Sequence, residues 1–121
     1  MKISKLLITS LFSVMACVSV AQDFPTKPIT IISPFPPGGG TDTLARLVAG
    51  GMTEKMGWKT VVENKPGAGG NLALDSTARA NPDGYTLVLA QTDNIVLNPW
   101  LYEKLPYDTF KDFTPVGLVA S

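Results

Sequence analysis

The sequence predicts an α/β fold, a mostly parallel sheet with flanking helices. Short β-branched or apolar runs of strand length recur along the chain. Each of the first two is followed by a glycine-rich loop and then by a helical segment. Strand, loop and helix repeated in that order call for crossover connections, and crossovers make neighbouring strands parallel.

The elements follow in chain order. Lys2 and Lys5 precede a largely apolar, uncharged stretch, and Ser19-Val20-Ala21 puts small residues where signal peptidase reads. Residues 1–21 are therefore expected to be a secretory signal peptide, and 22–121 the folded part. The apolar stretch is too short to favour a stable membrane span. A retained N-terminal anchor is one alternative. Lipidation at Cys17, within the loose lipoprotein box Val14-Met15-Ala16-Cys17, is the other.

Pro25 and Pro28 mark an extended lead-in to Ile29-Thr30-Ile31-Ile32, a β-branched run that reads as a buried strand. The strand stops at Pro34-Phe35-Pro36-Pro37, because proline removes ladder donors. Gly38-Gly39-Gly40 lead to Thr41 and Asp42, candidate N-caps of a helix. On that helix Leu44, Leu47, Val48, Gly51 and Met52 share one face, the expected core face. Gly50 and Gly51 weaken the helix by about 1 kcal/mol each, which suggests close packing there. Gly57 is the expected C-cap.

Thr60-Val61-Val62-Glu63 reads as the second strand, and the run from Asn64 through Pro66-Gly67-Ala68-Gly69-Gly70-Asn71 as a second glycine-rich turn. A short helix is expected over residues 72–80, stopped by Asn81-Pro82-Asp83-Gly84. Residues 85–90 form a third apolar strand, followed by the polar turn Gln91-Thr92-Asp93-Asn94. Residues 95–104 read as partly helical, and residues 116–120 as a fourth strand.

Composition excludes several chemistries. The chain has 121 residues, room for one small domain, and no histidine. That rules out a Ser-His-Asp triad, a Cys-His pair and His-based zinc sites. Cys17, the one cysteine, lies in the leader. Without Lys2 and Lys5 the chain carries 8 basic and 10 acidic residues, a net charge of about −2. That balance argues against a nucleic-acid partner, and any bound anion would be held by local dipoles. No metal and no cofactor are expected. A P-loop needs Lys after its last glycine, but Thr41 follows Gly40; a dinucleotide fingerprint fails at Thr43 and at Leu72.

Ligands of open α/β sheets sit beyond the carboxyl ends of the strands, where both glycine loops and the Thr92 turn fall. Each glycine loop opens a helix whose first N–H groups lack partners and attract anions. Glycine also lets a ligand approach the backbone. Two such loops would make a neutral cradle for a carboxylate. Thr41, Asp42 and Asn71 serve equally well as helix caps. Asp42 would repel an anion, so capping or orientation suits it better. Lys65 and Arg79 read as solvated.

The run Lys27-Pro28-Ile29-Thr30-Ile31-Ile32-Ser33-Pro34-Phe35-Pro36-Pro37-Gly38-Gly39-Gly40-Thr41-Asp42 resembles the opening of Bug-type receptors, the extracytoplasmic solute-binding proteins of tripartite tricarboxylate transporters. The likeness continues through Val61-Val62-Glu63-Asn64-Lys65-Pro66-Gly67-Ala68-Gly69-Gly70-Asn71 and Ala80-Asn81-Pro82-Asp83-Gly84-Tyr85. It extends to Asn98-Pro99-Trp100, Leu105-Pro106-Tyr107-Asp108 and Lys111-Asp112-Phe113-Thr114-Pro115-Val116. The resemblance implies a periplasmic-binding-protein type II fold, two α/β lobes around a cleft, of which this chain would hold an incomplete first lobe.

It implies binding of a small organic carboxylate without catalysis, and delivery to membrane transporter components. It points to Phe35, Gly39, Gly40, Thr41 and Asp42 in the first loop, to Ala68, Gly69, Gly70 and Asn71 in the second, and to Thr92 after the third strand. A periplasmic sensor serving a signalling partner, or a receptor fragment without function, are the alternatives. A hydrolase would need a nucleophile–base pair that the sequence does not offer.

Overall fold

The computed structural model describes residues 23–120. The expected signal peptide and Cys17 lie outside them. Three strands, β1 (Ile29–Ser33), β2 (Thr60–Asn64) and β3 (Thr86–Val88), alternate with helices α1 (Gly40–Met56) and α2 (Asn71–Ala78). A π-type turn over Asp93–Leu97 and a single helical turn, α3 (Asn98–Leu101), follow. The sheet has the order β2-β1-β3, and both pairings are parallel.

β1 is central because its β-branched residues suit burial on both sides. Ile29, Ile31 and Ile32 are nearly inaccessible, each contributing roughly 1.5–3 kcal/mol through burial. Ile31 sits opposite Val62 on β2 and Leu87 on β3. Pairing runs past β3's ends: Thr30 donates to the Tyr85 carbonyl and Leu89 to the Ile32 carbonyl. The chain crosses from β1 to one side and returns to the other. Right-handed crossovers then put α1 and α2 on opposite faces and create a switch point between β1 and β3.

The core under α1 is Ile31, Ala45 and Ala49, flanked by Val48, Met52, Val62, Leu87 and Leu89. Of the expected helix face, Val48 and Met52 do pack against this core, while Leu47 is corrected. Leu47 is 70% exposed, and the stripe runs instead through the small residues Ala45 and Ala49. Alanine lets the helix lie close to the sheet, where a leucine would hold it off. Gly50 and Gly51 face open space, so close packing does not explain them.

Gly57 does cap α1, in left-handed geometry with φ 70°, donating to the carbonyls of Met52 and Thr53. Gly57→Ala is expected to cost about 1 kcal/mol, the left-handed penalty for a β-carbon, since nothing crowds that position. A lower urea midpoint with unchanged m-value would show it.

The expected fourth strand does not form. Residues 116–120 have no regular structure, and Val116 and Leu118 are more than four-fifths exposed. A β-branched run becomes a strand only by fitting a pleated surface beside a neighbour, and no strand of the described residues pairs with it.

At the amino edge of the sheet Phe24 packs between Trp58 and Tyr85, with ring centroids 5.7 and 4.9 Å away. Lys27 pairs with Asp83 at 3.0 Å and lies over the Tyr85 ring. These contacts fasten the lead-in segment and leave the opposite edge to the loops.

Candidate functional site

Because all three strands are parallel, the loops that follow them emerge at one edge. The first leaves β1 through Pro34, which is fully buried. It turns at Gly38, φ 86°, and enters α1 with extended Gly39 at the N-cap. Neither Thr41 nor Asp42 is the N-cap residue. The first main-chain bond of the helix runs from Thr43 to the Gly39 carbonyl. The N–H groups of Gly40, Thr41 and Asp42 therefore have no acceptor within the helix.

Asp42 holds this loop from inside. Its side chain is almost wholly buried, with Oδ2 accepting from the Gly38 N–H at 2.9 Å and the Arg46 Nε at 3.0 Å. Oδ1 accepts from Asn64 Nδ2 at 2.8 Å, and the same amide donates to the Phe35 carbonyl at 3.0 Å. Arg46 in turn donates to Asn64 Oδ1. The carboxylate is thus engaged on the protein's own groups and fixes the loop to the end of β2. Its acidic position in the first turn also suits the helix dipole.

Those donors, Arg46 foremost, then the Gly38 N–H and Asn64, hold the Asp42 carboxyl well below the usual range. Asp83, bonded to Lys27, and Asp108, bonded to the Phe110 N–H, are lowered as well. A depressed folded-state pKa stabilises fully above the ordinary carboxylate range and is lost as pH falls through the folded value. The melting temperature is expected to be level above about pH 5 and to fall in acid. Asp42→Asn should melt lower at neutral pH and show a shallower acid limb.

In the second loop Ala68, Gly69 and Gly70 are all left-handed, with φ of 50°, 63° and 92°. Ala68 and Gly69 are exposed, whereas Gly70 is buried. A β-carbon on Gly70 would stand 2.6 Å from Asn94 Nδ2 and 3.1 Å from Pro34 Cβ, so only glycine fits. Asn71, the first residue of α2, is buried and accepts from Asn98 Nδ2 at 2.6 Å and from the Tyr107 hydroxyl at 2.8 Å. Lys65 is turned away to Ser76 at 2.7 Å and Glu63 at 3.4 Å.

The third loop joins the other two. Gln91 Nε2 donates to Thr41 Oγ1 at 2.8 Å, across the β1–β3 switch point. Asn94 donates to the Gly69 carbonyl at 2.6 Å. The structure thus brings Thr41, Asp42, Gly70 and Asn71 together as a buried polar layer. Gly39, Gly40, Ala68 and Gly69 form the exposed rim above it, with Phe35 half-buried beside them. Thr92 is exposed and makes no side-chain cap bond, so nothing ties it to this layer.

Sequence reasoning passes over Asn64, Gln91, Asn94, Asn98 and Tyr107, although these side chains hold the loops in place. Two shallow grooves are present, one at the amino edge lined by Lys27, Trp58 and Lys59, the other beside the second loop, lined by Pro99, Tyr102 and Tyr107. Among the described residues no group of acidic, cysteine or histidine side chains is placed to hold a metal. No described helix is long and apolar enough to cross a membrane. What the edge offers chemically is neutral: backbone donors at two helix starts, hydroxyl and amide groups, and cations engaged on other partners.

A parallel sheet with glycine loops gathered at its carboxyl edge is an open α/β sheet of the kind that takes ligands at that edge, and comparison with known proteins gives the class. Residues 44–121 match the tripartite tricarboxylate transporter family receptor model. The chain belongs to that family, one of binding proteins and not of enzymes. It is 42% identical over 113 residues to a UPF0065 protein of Bordetella pertussis, covering 91% of this chain and 35% of that protein. It is 40% identical to protein BugT of the same organism, covering 83% and 31%. The chain spans about a third of the length of these curated relatives.

Solved structures agree on the fold. The R. palustris protein Rpa4515, determined with adipate, superposes with a TM-score of 0.74 at 39% identity, over 78% of this chain and 31% of that one. MatC from Rhodopseudomonas palustris, determined with bound malate, gives 0.67 at 40% identity, over 79% and 33%. A periplasmic transporter structure gives 0.69 at 48% identity, over 73% and 30%.

Proposed function

We propose that this chain is the first-lobe part of an extracytoplasmic receptor that binds a small organic carboxylate for delivery to a tripartite-type membrane transporter. The observation that carries the reading is the convergence of two glycine-opened helix starts at one sheet edge, held by Asp42, Gln91 and Asn94. In this reading Gly39, Gly40, Thr41, Ala68 and Gly69 receive the carboxylate through main-chain and hydroxyl groups and Asn71 through its side-chain amide, while buried Gly70, its N–H bonded to the Gly67 carbonyl, shapes the loop beneath the ligand. Phe35 walls the site, Asp42 orients the first loop and Thr92 borders it. The relatives solved with adipate and malate support the ligand class.

The chain reaches the periplasm by way of residues 1–21, and the exported form begins at Gln22, which intact-mass measurement would read. A thermal-shift series tests the binding reading. Malate and adipate are expected to raise the melting temperature in a saturable way, and the corresponding diamides are not. Equal effects of acids and diamides, or none, would overturn it.

A further inference from the structure

Taking the carboxylate reading as its basis, we infer that Asn94 is a positioning residue for the anion site, setting the shape of the second loop from behind without touching the ligand. Its place is unusual for an amide side chain. It is 1% exposed, and burying such a group is costly unless its polar atoms are paired.

Both ends of the amide are paired. Nδ2 donates to the Gly69 carbonyl at 2.6 Å, and Oδ1 accepts from the Gln91 N–H at 3.1 Å. The Asn94 N–H bonds back to the Gln91 carbonyl, and its own carbonyl meets the Tyr107 hydroxyl at 3.1 Å. Asn94 thus joins the second loop to the third. Through Gln91 and Thr41 the same chain of bonds reaches the first turn of α1.

The contact has a directional consequence. Three successive left-handed residues are a conformation that a free loop leaves readily. The bond to the Gly69 carbonyl holds the middle of that run. Gly70 is pressed between Asn94 and Pro34, so the backbone can approach no other way. A loop already ordered spares the ligand the entropic cost of ordering it, and that difference appears as affinity. Fully paired polar networks fix one geometry in this manner.

The experiment uses the 121-residue chain with Asn94→Ala, and with Asn94→Asp, which keeps the shape but loses the donor. Ile29→Val serves as a core control at the far end of β1. Amide hydrogen exchange is read at Gly70 and Asn71, whose N–H groups bond to the carbonyls of Gly67 and Ala68. Titrations with malate and adipate run in parallel.

Both Asn94 variants are expected to exchange about tenfold faster at Gly70 and Asn71 than at the β1 amides, relative to the unsubstituted chain. Affinity should fall by about the same factor. Ile29→Val should leave the ratio unchanged. Loop exchange equal to the unsubstituted chain, or acceleration spread evenly over all amides, overturns the positioning role. So does a loosened loop with unchanged affinity. If the unsubstituted chain binds neither acid, the carboxylate reading fails while hydrogen exchange still decides whether Asn94 shapes the loop.

Discussion

Gly70→Ala is expected to destabilise the chain by about 2–4 kcal/mol and to weaken malate binding about a hundredfold. Two costs add. At φ 92° a β-carbon meets its own backbone, the left-handed penalty of about 1–2 kcal/mol. The new methyl also enters space held by Asn94 Nδ2 and Pro34 Cβ, which forces one of the three loops outward at about 1–3 kcal/mol.

That loss is a large fraction of the stability of a small domain. Gly40→Ala is the matched control. Nothing stands within 4 Å of a β-carbon there, and the position is helical, so alanine should hold or slightly raise stability. Urea midpoints for the pair separate the cost of shape from that of removing any glycine.

Asn71→Asp is expected to abolish carboxylate binding while leaving the fold intact. Asn71 acts inwardly as an acceptor, taking bonds from Asn98 and the Tyr107 hydroxyl, and a carboxylate accepts both equally well. Negative charge in the first turn of α2 is favourable to the helix dipole, by typically about 0.3–1 kcal/mol. The same charge occupies the positive end offered to an anion, and like charges repel there. Asn71→Ala has the opposite signature. It strands two buried donors at about 1–3 kcal/mol each without adding charge. Melting temperature and malate affinity, measured on both variants, tell structural from electrostatic effects: the aspartate should melt like the unsubstituted chain and not bind.

Much of this architecture is legible in the sequence because it is set locally. The Ile29-Thr30-Ile31-Ile32 run, the proline stop behind it and Gly57 at the helix end each announce themselves within a few residues. The two glycine loops are legible for the same reason. Features fixed by distant partners are not. Leu47 has the period of a core residue, but the sheet selects Ala45 and Ala49, whose size decides how closely α1 can lie. Residues 116–120 have strand composition and no strand of the described residues beside them.

The candidate site divides along the same line. Gly39, Gly40 and Gly69 are readable as a rim from glycine spacing before helices. Asn94 and Gln91 read merely as parts of a polar turn. Their partners, Gly69 and Thr41, lie 25 and 50 residues earlier, and no local pattern links them. Asp42 is an intermediate case. Its aversion to an anion suggests an orienting role, while its bonds to Gly38, Arg46 and Asn64 need the fold.

The most direct test of the central claim is a titration of the isotopically labelled chain with malate, followed by amide chemical shifts. Binding at the paired helix starts predicts saturable movement of Gly39, Gly40, Thr41, Gly69, Gly70 and Asn71, with Lys27, Trp58 and Lys59 still. Movement confined to the Lys27–Lys59 groove, or no movement at saturating malate and adipate, would contradict the account.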